Sequence, residues 1–169
     1  MRTAVILAVG ILSAGCDYVV PLVKTPSLAI VAGVVGLWQR PKDKGETERL
    51  LVLPLGKQEY LVSYPSESKD AMFARACLCR VAATTLVQLE WFGTARGGIP
   101  DDPDNPEDRR VYQFAAYSVT GATLTVRMLN TDVVKKAVDS TDKLAKAIAA
   151  NLAKPDLFQD EMVFTKVKN

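Results

Sequence analysis

The chain has 169 residues, with 21 Lys+Arg, 19 Asp+Glu and no histidine. The near-neutral balance excludes a general nucleic-acid binder, which needs a basic excess to displace counterions from phosphates. The missing histidine excludes a Ser-His-Asp or Cys-His nucleophile pair, the usual zinc and haem ligand sets, and the commonest general base near neutral pH. An enzyme would have to work with carboxylates, lysine or tyrosine, and no Asp/Glu pair stands out for that work.

Arg2 gives a short positive start, and residues 4–12 are an uncharged apolar run. A membrane-spanning helix needs about 20 such residues. Small residues then lead into Cys16, in the order of a secretory signal peptide. The ending LSAGC resembles the lipobox of bacterial lipoproteins. The resemblance implies a diacylglycerol on the Cys16 thiol, cleavage just before it, and usually acylation of the new amine. Leu12 stands one place further out than in the usual lipobox, and Ser13 takes the usual leucine position. Ser13 and Gly15 also suit an ordinary signal peptidase. A buried N-terminal helix with a structural Cys16 is the third reading. One acyl chain binds a membrane reversibly, whereas two or three hold it for good. Asp17 resembles the enterobacterial signal for staying in the inner membrane. The expected organisation is a signal peptide over 1–15, a lipidated N-terminus and tether over 16–32, and a β-barrel-like domain over 33–169. Removing residues 1–15 leaves 154, enough for one domain with its own core.

Residues 17–32 contain Pro21 and Pro26 and no clean period, which reads as a tether leading into the fold. Val19, Val20, Leu22 and Val23 are too apolar for a free linker, so part of it packs on the domain or lies along the membrane. A strand is expected over 34–40. Two more, over 49–55 and 58–64, flank Gly56-Lys57 and read as a hairpin. Pro54 fits the end of its strand, where a missing donor is tolerated. Residues 72–92 are too long for one strand and divide at 82–84 into strands over 72–81 and 85–92. In the second, Val87, Leu89 and Trp91 share one face while Gln88 and Glu90 share the other, the pattern of a sheet wet on one side.

Cys77 and Cys79 face the same way on their strand, and a disulfide across one residue is strained. Two small apolar residues is the plain reading, against a redox pair, half a metal site or intermolecular pairing. Residues 93–110 form a long loop. Its Asp101, Asp102, Asp104, Glu107 and Asp108 lack the EF-hand spacing, so a solvated loop is expected rather than a cation site.

Strands are expected again over 111–119 and 122–129. Thr131 can cap a short helix through Val138, and Ser140 or Thr141 a second one to about Ala153. Leu144, Ile148 and Leu152 recur every four residues and give that second helix one buried stripe. A final strand is expected over 161–168. The fold class is therefore mainly β: an antiparallel meander barrel or strongly curved sheet of about eight strands, with two short helices before the last strand.

Gly36-Leu37-Trp38 resembles the G-x-W element of lipocalins and related calycin barrels, where the tryptophan plugs one barrel end. Together with RLLVLPLGKQEYLVSYP, FARACLCRV, TTLVQLEW, VYQFAAYSV, ATLTVRMLN and NLAKPDLF leading to MVFTKVK, it resembles a family of small bacterial envelope proteins with a lipocalin-like barrel. The likeness covers residues 33–168. With no catalytic constellation and no metal-binding set in the chain, the expected protein is a non-catalytic lipoprotein facing the periplasm or exterior, with no cofactor and no metal. Its expected partners are the membrane, through the anchor, and a small apolar ligand or an envelope protein. The candidate ligand-lining residues are Trp38, Val87, Leu89, Trp91, Phe114, Leu124, Val126 and Met128. An eight-stranded barrel either holds one small ligand or is filled by its own side chains, and the sequence leaves both open. In the second case the protein is a structural or protein-interaction module, and the acidic run beside Arg109-Arg110 is a contact surface.

Overall fold

The structure is a computed structural model that describes residues 17–98 and 111–168. The expected signal peptide, Cys16 and the acidic loop 101–108 lie outside the described residues. Eight antiparallel strands follow one another in sequence order and close into a barrel. They are β1 Gly36–Pro41, β2 Thr47–Pro54, β3 Glu59–Ser66, β4 Met72–Val81, β5 Thr84–Thr94, β6 Tyr112–Thr120, β7 Thr123–Leu129 and β8 Phe158–Lys166. Helix α1, Thr141–Asn151, stands between β7 and β8.

Two apolar clusters follow from the two-residue period of the strands. One draws buried side chains from β1 to β5, β7 and β8, including Trp38, Leu50, Val62, Ala74, Trp91, Leu124 and Phe164, and lines the barrel interior. The other lies on the outer wall of β4 to β7. There Cys79, Val81, Leu86, Phe114 and Leu129 pack under Leu144 and Ile148 of α1 and under Tyr18 and Leu22. Gln88 is therefore buried although it points out of the barrel. The alternation that reads as a wet face is instead a face covered by a helix and by the N-terminal segment.

That segment is a strap rather than a free tether. The Asp17 and Tyr18 amides donate to the Tyr112 carbonyl at the upper end of β6, at 3.0 and 3.1 Å. The Leu22 and Val23 amides donate to Gln88 Oε1, at 2.7 and 3.0 Å. Thr141 Oγ1 on α1 donates to the Pro21 carbonyl at 2.7 Å. The Ile30 amide then donates to the Lys57 carbonyl at the lower end, 3.0 Å away. A single 3-10 turn, Ala32–Val34, leads into β1. Leu28, Ile30, Val34 and Val35 pack onto the interior cluster and close that end.

The expected first helix does not form, and α1 is the one α-helix among the described residues. Asn130 organises residues 131–134 as a turn. Its carbonyl accepts from the Val133 and Val134 amides at 3.1 and 2.9 Å, and its side chain accepts from the Asp132 amide at 2.9 Å. The Val134 carbonyl, which would have accepted from residue 138, instead accepts from the Tyr18 hydroxyl. Paired valines also lose side-chain freedom in a helix. The second expected helix forms with Ser140 as its cap, the hydroxyl accepting from the Lys143 amide at 3.4 Å. Leu144 and Ile148 are buried and Leu152 partly so.

Gly121, at φ +58°, supplies the left-handed position in the β6–β7 turn. Gly36 is needed for its positive φ of +139°; a Cβ there would meet only the flexible end of the Lys166 side chain. The barrel closes along a short seam. Trp38 stands opposite Lys166 and Gln39 opposite Thr165, whereas β4 and β5 pair from Met72–Thr94 to Val81–Thr84.

Candidate functional site: the barrel interior

Strand parity places Trp38, Val87, Leu89, Trp91, Leu124 and Val126 on the inner wall, all within the interior cluster. Trp38 is fully buried at the lower end. Its Nε1 donates to the Val34 carbonyl at 2.8 Å, and Lys166 Nζ lies 5.1 Å over its ring. Trp91 closes the upper part of β5. Its Nε1 donates to Gln113 Oε1 at 2.8 Å, and Gln113 Nε2 donates to Asp17 Oδ2 at 3.2 Å. Met128 stands opposite Ala115, just past a bulge in β7, and is half-buried. Phe114 sits elsewhere. It points out of the barrel and packs against Tyr18, with ring centroids 5.3 Å apart.

Burial is uneven inside the barrel. Trp38, Leu78, Leu124 and Phe164 are closed off, whereas Val87, Leu89, Tyr117, Val126 and Met162 face the same interior and remain half-buried. A mid-strand side chain that faces inward, between hydrogen-bonded neighbours, keeps accessible surface only if there is room beside it. Beside Trp91, Leu89 and Val87 on the neighbouring strands stand the small side chains of Ala74, Ala76 and Ala115. The lower floor is therefore filled, whereas the apolar wall on the β5–β8 side keeps some accessible surface.

A polar cluster at the upper end of this interior was not among the sequence candidates. Arg40 Nε donates to Glu48 Oε2 at 2.7 Å, Arg40 Nη2 donates to the Tyr64 hydroxyl at 2.8 Å, and that hydroxyl donates to Glu48 Oε2 at 2.5 Å. The guanidinium also lies 5.5 Å from the centre of the Phe164 ring. Burial pushes the Glu48 carboxyl up, but the bonds from Tyr64 and Arg40 and the guanidinium charge outweigh it, so the carboxyl is held below its ordinary range. Burial, then the bond to Glu48, raises the Tyr64 phenol. The signal was legible: Arg40 lies two residues beyond Trp38 and Glu48 two before Leu50, so each shares the inward face of its strand.

Outside the barrel, a crevice of about 240 Å³ opens between the strap and the sheet. Lys24, Glu59, Arg75, Glu90 and Tyr112 line it, with Cys77 at its floor. Cys77 and Cys79 are both buried and both free thiols. Burial, then Glu59 and Glu90, pushes Cys77 up to about 11, and burial with Cys77 pushes Cys79 up to about 12. Such thiols are poor nucleophiles and poor metal ligands. Among the described residues no three Cys, Asp or Glu side chains converge to hold a metal ion. Compared with protein-family models, curated protein sequences and solved structures, the chain has no significant match in any of the three.

Proposed function

We propose that the protein is a lipid-anchored envelope lipoprotein of lipocalin-like type, whose barrel takes a small apolar or amphiphilic ligand and catalyses nothing. The observation that carries this reading is the inner wall itself, where Val87, Leu89, Tyr117, Val126 and Met162 face inward and stay half-buried. Apolar surface left uncovered inside a barrel is stabilised by an apolar occupant, at roughly 25 cal/mol for each Å² removed from water. The Arg40–Glu48–Tyr64 cluster at the upper end suits a ligand that keeps a polar group there and lays its apolar part along β5–β8. The eight-stranded meander with a helix before the last strand supports the lipocalin-like likeness. The anchor rests on the apolar run over 4–12 and the small residues that lead from it into Cys16.

Native mass spectrometry of protein taken from its own host membranes tests both parts. The wild-type protein carries acyl mass on its N-terminal peptide and releases a small apolar molecule on activation. Cys16→Ser loses the acyl mass and keeps the molecule. A wild-type protein that is unmodified at Cys16 removes the anchor, and a protein that is empty on isolation and takes up no fatty acid removes the ligand.

A further inference from the structure

The strap fixes how the anchor can hold the barrel. Tyr18 is fully buried, and its backbone and hydroxyl are both engaged. Its amide donates to the Tyr112 carbonyl, its carbonyl accepts from the Val111 and Tyr112 amides at 3.1 and 3.0 Å, and its hydroxyl donates to the Val134 carbonyl at 2.6 Å. Asp17 is held as well, by Lys136 Nζ at 2.7 Å and by Gln113. Cys16 is covalently next to Asp17. Two residues of fully extended chain reach at most about 7 Å. Beside this clamp the surface offers Val19, an exposed apolar side chain, and the ammonium groups of Lys135 and Lys136, the first also 3.5 Å from the exposed Asp132 carboxylate of the same turn and the second bound to Asp17.

We propose that the flank formed by Asp17, Val19 and the turn at 131–136 lies against the phospholipid headgroup layer, so that the barrel has one fixed orientation on the membrane. The proposal rests on the lipidation reading of Cys16. With so short a leash the barrel cannot turn this flank away from the surface. There Val19 enters the interface, and Lys135 and Lys136 stand at the depth of the headgroup phosphates. The lower end, with the 55–58 turn, then points away from the membrane.

The test uses lipidated protein reconstituted in vesicles of phosphatidylethanolamine and phosphatidylglycerol that contain headgroup-spin-labelled lipid. A fluorophore is placed through Lys135→Cys on the flank or through Lys57→Cys at the lower end. Cys16 is blocked by its thioether, and Cys77 and Cys79 are buried. Quenching is expected to be several-fold stronger at 135 than at 57. A flexible Gly/Ser insert between Cys16 and Asp17 should bring the two sites together without altering the barrel. Equal quenching without the insert, in protein that floats with the vesicles and carries acyl mass, overturns the fixed orientation and leaves the anchor intact. Protein that lacks acyl mass and does not float overturns both.

Discussion

The Tyr18 hydroxyl donates a 2.6 Å hydrogen bond to the Val134 carbonyl, joining the start of the strap to the turn that precedes α1. The bond is buried, and the same ring packs against Phe114. Tyr18→Phe keeps the ring and leaves a buried carbonyl unpaired, a loss of about 1–3 kcal/mol. Tyr18→Ala also opens a cavity between strap and barrel and costs about 3–5 kcal/mol. Denaturant titration of the two variants separates these terms. Equal, small losses would mean that the strap is not part of the cooperative fold.

Trp38 is the plug of the lower end. It has no exposed surface, and its ring lies beneath Lys166. Trp38→Ala should cost about 3–5 kcal/mol, a large share of a typical domain's stability. An unchanged unfolding midpoint would exclude the plug.

The proposed ligand space along β5–β8 can be probed by filling it. Val126→Phe adds bulk on the inner wall where Val126 is half-buried. In a close-packed interior such an insertion costs about 1–3 kcal/mol. Here the expected cost is under about 1 kcal/mol, because the ring enters space already present. Ligand mass in the native spectrum should fall in the same variant. A larger loss of stability would show the interior to be filled by its own side chains, and would favour a protein-interaction role.

Glu48 makes stability depend on pH. Its carboxyl is held below the ordinary range in the folded chain. A depressed carboxyl contributes stability that is fully present above its unfolded value and lost as pH falls through the folded one. Glu48→Gln should cost about 1–3 kcal/mol at neutral pH, since Arg40 loses its charged partner. That difference should narrow as pH falls below about 4.3, the ordinary glutamate value. Stability curves of the two proteins against pH read this directly, and a constant gap would mean that Glu48 is not the titrating group.

Cys77 and Cys79 should alkylate slowly in the native protein at a pH of about 8, where a free thiol reacts readily. Both should react at once in denaturant. Mass spectrometry after a short iodoacetamide pulse counts the adducts, and rapid native labelling at Cys77 would mean that the strap opens.

The strands were legible because their apolar residues alternate, and β4 matches the expected 72–81 residue for residue. Inward parity from Trp91 gave Val87 and Leu89 correctly. Phe114 misled because both faces of β6 are covered: an outward aromatic under Tyr18 looks, in sequence, like an inward one. The strap was legible only in part: its apolar residues pointed to packing on the domain, but not to where it docks. Its bonds to Gln88, Tyr112 and Val134 are long-range and mostly involve backbone groups, which carry no side-chain code. The run TDVVKKAV has the spacing of a helix, but Asn130 folds its first residues into a turn that presents the Val134 carbonyl to the Tyr18 hydroxyl.

The narrow ladder between β1 and β8 sets where the closed wall breathes. Trp38–Lys166 and Gln39–Thr165 carry the strand pairing there, extended by the Val167 amide donating to the Leu37 carbonyl at 2.9 Å. Local opening is cheapest where the fewest backbone bonds must break together. Amide protons along this seam should therefore exchange with solvent well before those of the β4–β5 ladder. Phe164 adjoins the seam on β8 and faces inward, so the same fluctuation that parts the first strand from the last also uncovers the inner wall.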